Sequence, residues 1–107
     1  MSDVVDITSE QTQTLDDLLD RYLPGVRVWA YGSRVKGTSR PDSDLDLAVF
    51  AAPEEQPAVS ALREAFEESN LPFRVDLFVW NQIPEQFRRT IEKDHVVVRE
   101  ASTHEQQ

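Results

Sequence analysis

The order of apolar patterns along this chain predicts an α/β fold, a mixed four-stranded sheet with flanking helices. Three observations carry the prediction. Apolar spacing switches between helical and alternating in the order helix, strand, strand, helix, strand, helix, strand. The helix expected between the second and third strands is long enough for a right-handed parallel crossover. The link between the first two strands is too short for one, so those two are expected to run antiparallel.

Residues 1–7 read as a short lead. Thr8-Ser9-Glu10-Gln11 then has the pattern of a capping box, with Thr8 as N-cap and Gln11 three residues on. Leu15, Leu18, Leu19, Tyr22 and Leu23 form one apolar stripe at helical spacing, and Pro24-Gly25 ends that helix. Val26 to Tyr31, rich in β-branched and aromatic residues, is the first strand. It runs into Gly32-Ser33 and a short segment compatible with a helical turn before Gly37. Ser39 to Ser43 is turn-rich, and Leu45 to Phe50 is the second strand.

The second helix is expected over 54–69, with Pro57 tolerable only in its first turn. Val59, Leu62, Ala65 and Phe66 would face inward, and Glu54, Glu55, Arg63, Glu64 and Glu67 outward. Asn70-Leu71-Pro72 breaks it. From Phe73 to Trp80 the chain alternates, with Phe73, Val75, Leu77 and Val79 on one face and Arg74, Asp76, Phe78 and Trp80 on the other, which predicts a third strand. Ile83, Phe87 and Ile91 recur every fourth residue, so a third helix is expected over 84–93, and His95 to Arg99 is the last strand.

A chain of 107 residues suits one domain, with a core over about 8–100 and a polar tail at 101–107. No apolar run is long enough to span a bilayer, and the acidic N-terminus is unlike a signal peptide, so no membrane role is expected. With no cysteine there is neither a disulfide framework nor a thiolate metal site, and a cytoplasmic location is the default. A net charge of −9, from 11 basic and 20 acidic residues, argues against direct nucleic-acid binding. It suits a basic protein partner, or a small anionic substrate held with metal at a local basic pocket, and it also aids solubility.

The chemistry gathers in two stretches. Asp44 and Asp46 are two apart at the head of a strand, so both side chains should leave one face, with α-carbons about 6.6–6.8 Å apart. Leu45, Leu47 and Val49 would take the opposite, core face. Two carboxylates held this way repel, and at least one pKa should rise unless a cation such as Mg²⁺ sits with them. Aspartate is also disfavoured in strands. A calcium loop is excluded, since Leu47 stands where the loop needs Gly and Pro53 where it needs Glu. A P-loop is excluded because Thr38 replaces the required Lys.

Gly32-Ser33 suits a different phosphate cradle, in which Gly allows close backbone approach and Ser adds a hydroxyl donor. Arg34 and Lys36 add local positive charge in an otherwise acidic protein. Asp76 lies on the strand expected beside the second one. It reads either as a solubility device on an edge strand or as the third carboxylate of a site for in-line phosphoryl chemistry.

Gly32-Ser33, ten residues, then Asp44-Leu45-Asp46 resembles the signature of the nucleotidyltransferase superfamily related to DNA polymerase β. The wording Gly-Ser-Arg-Val-Lys-Gly with Ser-Asp-Leu-Asp-Leu is similar to its minimal nucleotidyltransferase (MNT) branch, and the likeness covers about residues 15–100. It implies a small nucleotidyltransferase fold and an antitoxin that adenylylates a tyrosine of a HEPN ribonuclease toxin, with ATP as substrate and Mg²⁺ as cofactor. By position it implies that Gly32 and Ser33 hold the β/γ phosphates and that Asp44 and Asp46 bind metal, with triphosphate contact and plain solvation both open for Arg34 and Lys36. Asp76 would share the catalytic metal and help deprotonate the acceptor hydroxyl.

Trp29, Tyr31, Phe78 and Trp80 read as core or sheet-face residues, and His95 and His104 as isolated residues without a metal role. Two rivals to protein adenylylation stand beside it. One is an acidic antitoxin that masks a basic ribonuclease without catalysis. The other is a small-molecule nucleotidyltransferase, for which 107 residues leave little room for a substrate domain.

Overall fold

The computed structural model of the chain describes residues 7–32 and 44–101. Its elements are α1 (Ser9–Tyr22), β1 (Val28–Tyr31), β2 (Leu45–Val49), α2 (Gln56–Glu68), β3 (Val75–Val79), α3 (Glu85–Lys93) and β4 (Val96–Arg99). Short 3-10 turns at Pro53–Glu55 and Trp80–Gln82 lead out of β2 and β3. The four strands lie in the order β3-β2-β1-β4. β1 is antiparallel to both β2 and β4, and β2 is parallel to β3 across the α2 crossover, so the sheet is mixed as expected.

The helix starts follow local chemistry. Thr8 closes its capping box with Gln11, each side chain bonding the other's backbone N–H at 3.1 and 2.9 Å. Pro57 falls in the first turn of α2, where its missing N–H costs nothing. Glu55 departs from the outward position expected for it. It turns back so that Ala52 N–H donates to Glu55 Oε1 at 2.7 Å, closing the 3-10 turn ahead of α2. Several strands are shorter than their alternation suggests, because neighbouring backbone groups are used in turns. The Val26 N–H bonds Leu23 O, and Trp80 O accepts from Ile83 N–H.

One face of the sheet is covered by α1 and α2. Leu15, Leu19 and Leu23 meet Val59, Leu62 and Phe66 over Val28, Ala30, Leu45, Leu47, Val49 and Leu77, all buried. Each large aliphatic side chain there contributes about 1.5–3 kcal/mol by leaving water. The opposite face has a smaller core of Tyr31, Ala48, Ile83 and Ile91 under α3, bordered by Trp29 and Trp80. His95 is not isolated once folded, since its ring stacks on Trp29 with centroids 3.8 Å apart. Phe50 stacks on Trp80, and Arg88 lies over the Trp80 ring while donating to the carbonyls of Trp80, Asn81 and Ile83.

Two aromatics depart from a core reading. Phe78 is 40% exposed, and Phe87, midway along the stripe that buries Ile83 and Ile91, is 43% exposed. Among the described residues nothing packs over their outer sides. No helix of the described residues is long and apolar enough to cross a membrane.

Candidate active site

Register decides which polar side chains meet. Tyr31 of β1 is the α-carbon partner of Asp46, and Asp46 is the partner of Asp76 on β3. Partners across a sheet share a face, so Tyr31, Asp46 and Asp76 stand in one row over three strands, away from α1 and α2. Leu45 and Leu47, fully buried on the other side, pin Asp46 in that orientation. Asp44 precedes β2 by one residue and is exposed, and it lies near enough to add to the field at Asp46.

The Asp46 carboxyl is pushed up to about 6 by partial burial, then by Asp76, then by Asp44. Three carboxylates thus act on one another at one strand end, as the spacing predicts for Asp44 and Asp46. The Tyr31 hydroxyl is raised above the ordinary phenol range by burial first, then by Asp46 and Asp76. Its oxygen is buried without a hydrogen-bond partner among the described residues. Arg74 Nε lies 3.0 Å from Asp76 Oδ1, with the arginine side chain 75% and the aspartate 25% exposed. Opposite charges two residues apart at the start of β3 are the sequence signal for that pair. The place of Tyr31 in the row needed the register.

Gly32 ends β1 with φ +90°, a conformation that suits glycine. A Cβ there would stand 2.6 Å from Asp46 Oδ2. The glycine therefore does more than allow a turn: its missing side chain is the space that the Asp46 carboxylate occupies. Ser33, Arg34 and Lys36 lie outside the described residues.

Among the described residues, no three His, Cys, Asp or Glu side chains are already arranged to hold a metal ion. The donor set still fits a hard divalent cation. It consists of carboxylate oxygens only, and their mutual repulsion at Asp46 is the cost that such a cation removes.

Comparison with known proteins follows the same lines. The polymerase beta nucleotidyltransferase family matches residues 13–104. The chain is 45% identical over 100 residues to the probable protein adenylyltransferase MntA of Haemophilus influenzae, covering 90% of this chain and 85% of that protein. Its fold resembles a chain in the crystal structure of a toxin–antitoxin with AMP-PNP, at a TM-score of 0.69 and 22% identity, over 85% of this chain and 74% of that one. It also resembles a chain in the complex of tri-AMPylated Shewanella oneidensis HEPN toxin with MNT antitoxin, at a TM-score of 0.54 and 12% identity, over 89% and 74% of the two chains. At such identities the two solved structures speak for the fold.

Proposed function

Because the chain belongs to the polymerase beta nucleotidyltransferase family, we propose that it transfers AMP from ATP to a tyrosine hydroxyl of a cognate HEPN ribonuclease toxin. In doing so it acts as that toxin's antitoxin, in the cytoplasm where both are made. The observation that carries the reading is the pairing of Asp46 with Asp76 on adjacent parallel strands, with Asp44 at the mouth of β2. The name of the Haemophilus influenzae relative, a probable protein adenylyltransferase, supports a protein acceptor. The toxin–antitoxin complexes among its structural neighbours support the class of partner.

In this reading Asp44, Asp46 and Asp76 hold Mg²⁺, which when bound offsets the negative charge of the triphosphate. Gly32 and Ser33 place the β and γ phosphates, with Arg34 and Lys36 near the same anion. The acceptor oxygen attacks the α-phosphorus in line. Its bond to phosphorus forms as the bond to the pyrophosphate oxygen breaks, pyrophosphate leaves, and the hydroxyl proton passes to Asp76. Such a transfer demands positioning and charge more than covalent help from the protein. The Arg74 pair holds Asp76 at one oxygen and leaves the other for this work.

The test is transfer of labelled AMP from ATP to the purified toxin in the presence of Mg²⁺. Asp76→Asn should keep its circular dichroism and lose transfer by about 10²–10⁴-fold, the span of general acid–base effects. Undiminished labelling by that variant would contradict the mechanism. The net charge of −9 favours a second reading, in which the acidic chain masks a basic toxin directly. Full neutralisation of the ribonuclease with no nucleotide present would support that alternative.

A further inference from the structure

Beside the carboxylate row lies an aromatic pair that neither the core nor the phosphate chemistry uses. Phe78 follows Asp76 by two residues on β3, so the two share a face with α-carbons about 6.7 Å apart. Phe87 reaches the same place from the first turn of α3. Tyr31 lies between them, with ring centroids 6.3 Å from Phe78 and an edge-to-face contact at 5.9 Å to Phe87. Single exposed apolar residues are ordinary on a protein surface. These two are about 40% exposed, share one buried ring as their floor, and stand beside the proposed base.

We propose that Phe78 and Phe87 are the acceptor subsite, a shelf on which the ring of the accepting tyrosine packs while its hydroxyl faces Asp76. The inference rests on the function proposed above and adds how the acceptor is chosen. A hydroxyl that reaches Asp76 on a tyrosine side chain brings its ring over the neighbouring residues of the same face, Arg74 and Phe78, of which Phe78 is the apolar one. Offset or edge-to-face packing of an incoming ring on two phenylalanines adds about 0.5–1.5 kcal/mol beyond burial alone. Serine and threonine hydroxyls gain none of this.

Among the described residues the approach to the shelf is open. β3 is an edge strand, and a groove of about 630 Å³ runs beside it, lined in part by Phe66, Phe73, Arg74, Asp76 and Phe78. Leu45 N–H bonds Arg74 O while Leu45 itself pairs with Val75. In a parallel ladder this turns the backbone groups of Arg74, Asp76 and Phe78 toward β2, and those of Val75 and Leu77 outward. Arg63 already donates to Leu77 O at 2.9 Å, so among the described residues the open part of the edge is at Val75, next to Asp76. An extended acceptor segment lying along that edge would present its side chain to the shelf.

The decisive experiment compares Phe78→Ala and Phe87→Ala with the unaltered protein on two acceptors: the toxin with its acceptor tyrosine, and the same toxin with serine at that position. Affinity for a non-hydrolysable ATP analogue with Mg²⁺ is measured alongside. Both side chains are substantially exposed, so the variants should melt close to the parent. The shelf predicts that each substitution lowers the tyrosine-over-serine ratio of kcat/KM about tenfold, with nucleotide affinity unchanged and Phe78→Tyr near the parent. An equal slowing on both acceptors would mark a general docking contact and overturn the proposal. Weakened nucleotide binding with an intact acceptor ratio would mark an adenine shelf and overturn it equally. Unchanged values throughout would refute the shelf while leaving AMP transfer standing, whereas absence of transfer by the unaltered protein would refute both.

Discussion

On the face that α1 and α2 cover, β2 turns Leu45, Leu47 and Val49 into a dry interior where none is exposed. On the other face the same five-residue strand turns Asp46 toward Tyr31 and Asp76, two further groups poorly suited to burial beside it. The first face gains free energy with every contact. The second pays part of it back, through a carboxyl held near pKa 6 and a phenol oxygen with no partner among the described residues. Alternation of side chains lets one strand serve both ends, and the tightly packed face is what keeps the repelling face from relaxing. The lesson is a division of labour within one sheet, with stability on one side and charge awaiting a ligand on the other.

Substitutions can break that division in order of effect. Leu47→Ala removes a fully buried side chain beneath Asp46 and should cost about 2–5 kcal/mol in urea unfolding, with activity falling as the fold does. Gly32→Ala meets both a φ of +90° and the Asp46 carboxylate at 2.6 Å. It should cost about 1–3 kcal/mol in melting experiments. AMP transfer should fall further than this stability loss explains, because the displaced group belongs to the proposed site. Retention of full transfer by this variant would show that Asp46 tolerates movement. Arg74→Ala should be the mildest. The pair it breaks is largely exposed on the arginine side and worth under about 1 kcal/mol, so melting should barely change. Divalent-cation affinity, measured by calorimetry, should rise a few-fold as Asp76 loses its competing partner.

Much of this was legible in the sequence because local rules and the global fold agree. The capping box at Thr8, the alternation of 73–80 and the length of α2 each led to an element and then to the antiparallel and parallel pairings. The placement of Asp46 opposite the core followed from period two alone. What escaped was whatever depends on register or on the edges of packing. Tyr31 joins the row only because β1 pairs with β2 at one offset, which no local pattern specifies. Phe87 follows the helical stripe yet stays exposed, since α3 is a nine-residue helix at the rim and covers only part of its face. The steric tie between Gly32 and Asp46 required atoms from two strands.

If the carboxylate face is strained until a cation arrives, thermal melting of the metal-free protein should reveal it. The folded Asp46 pKa, about 6, is raised above the ordinary carboxyl value of 3.8. Folding therefore favours its protonated form. That contribution is fully present below about pH 4 and is lost as pH rises through about 6. After discounting for solvent screening at this half-buried group, it amounts to about 1–2 kcal/mol. Between pH 5 and pH 7.5 the protein should lose several degrees of Tm. Asp46→Asn should lose much less, and Mg²⁺ at pH 7.5 should restore Tm to the parent and not to the variant. Equal pH dependence in the two proteins, or equal stabilisation of both by Mg²⁺, would contradict the claim.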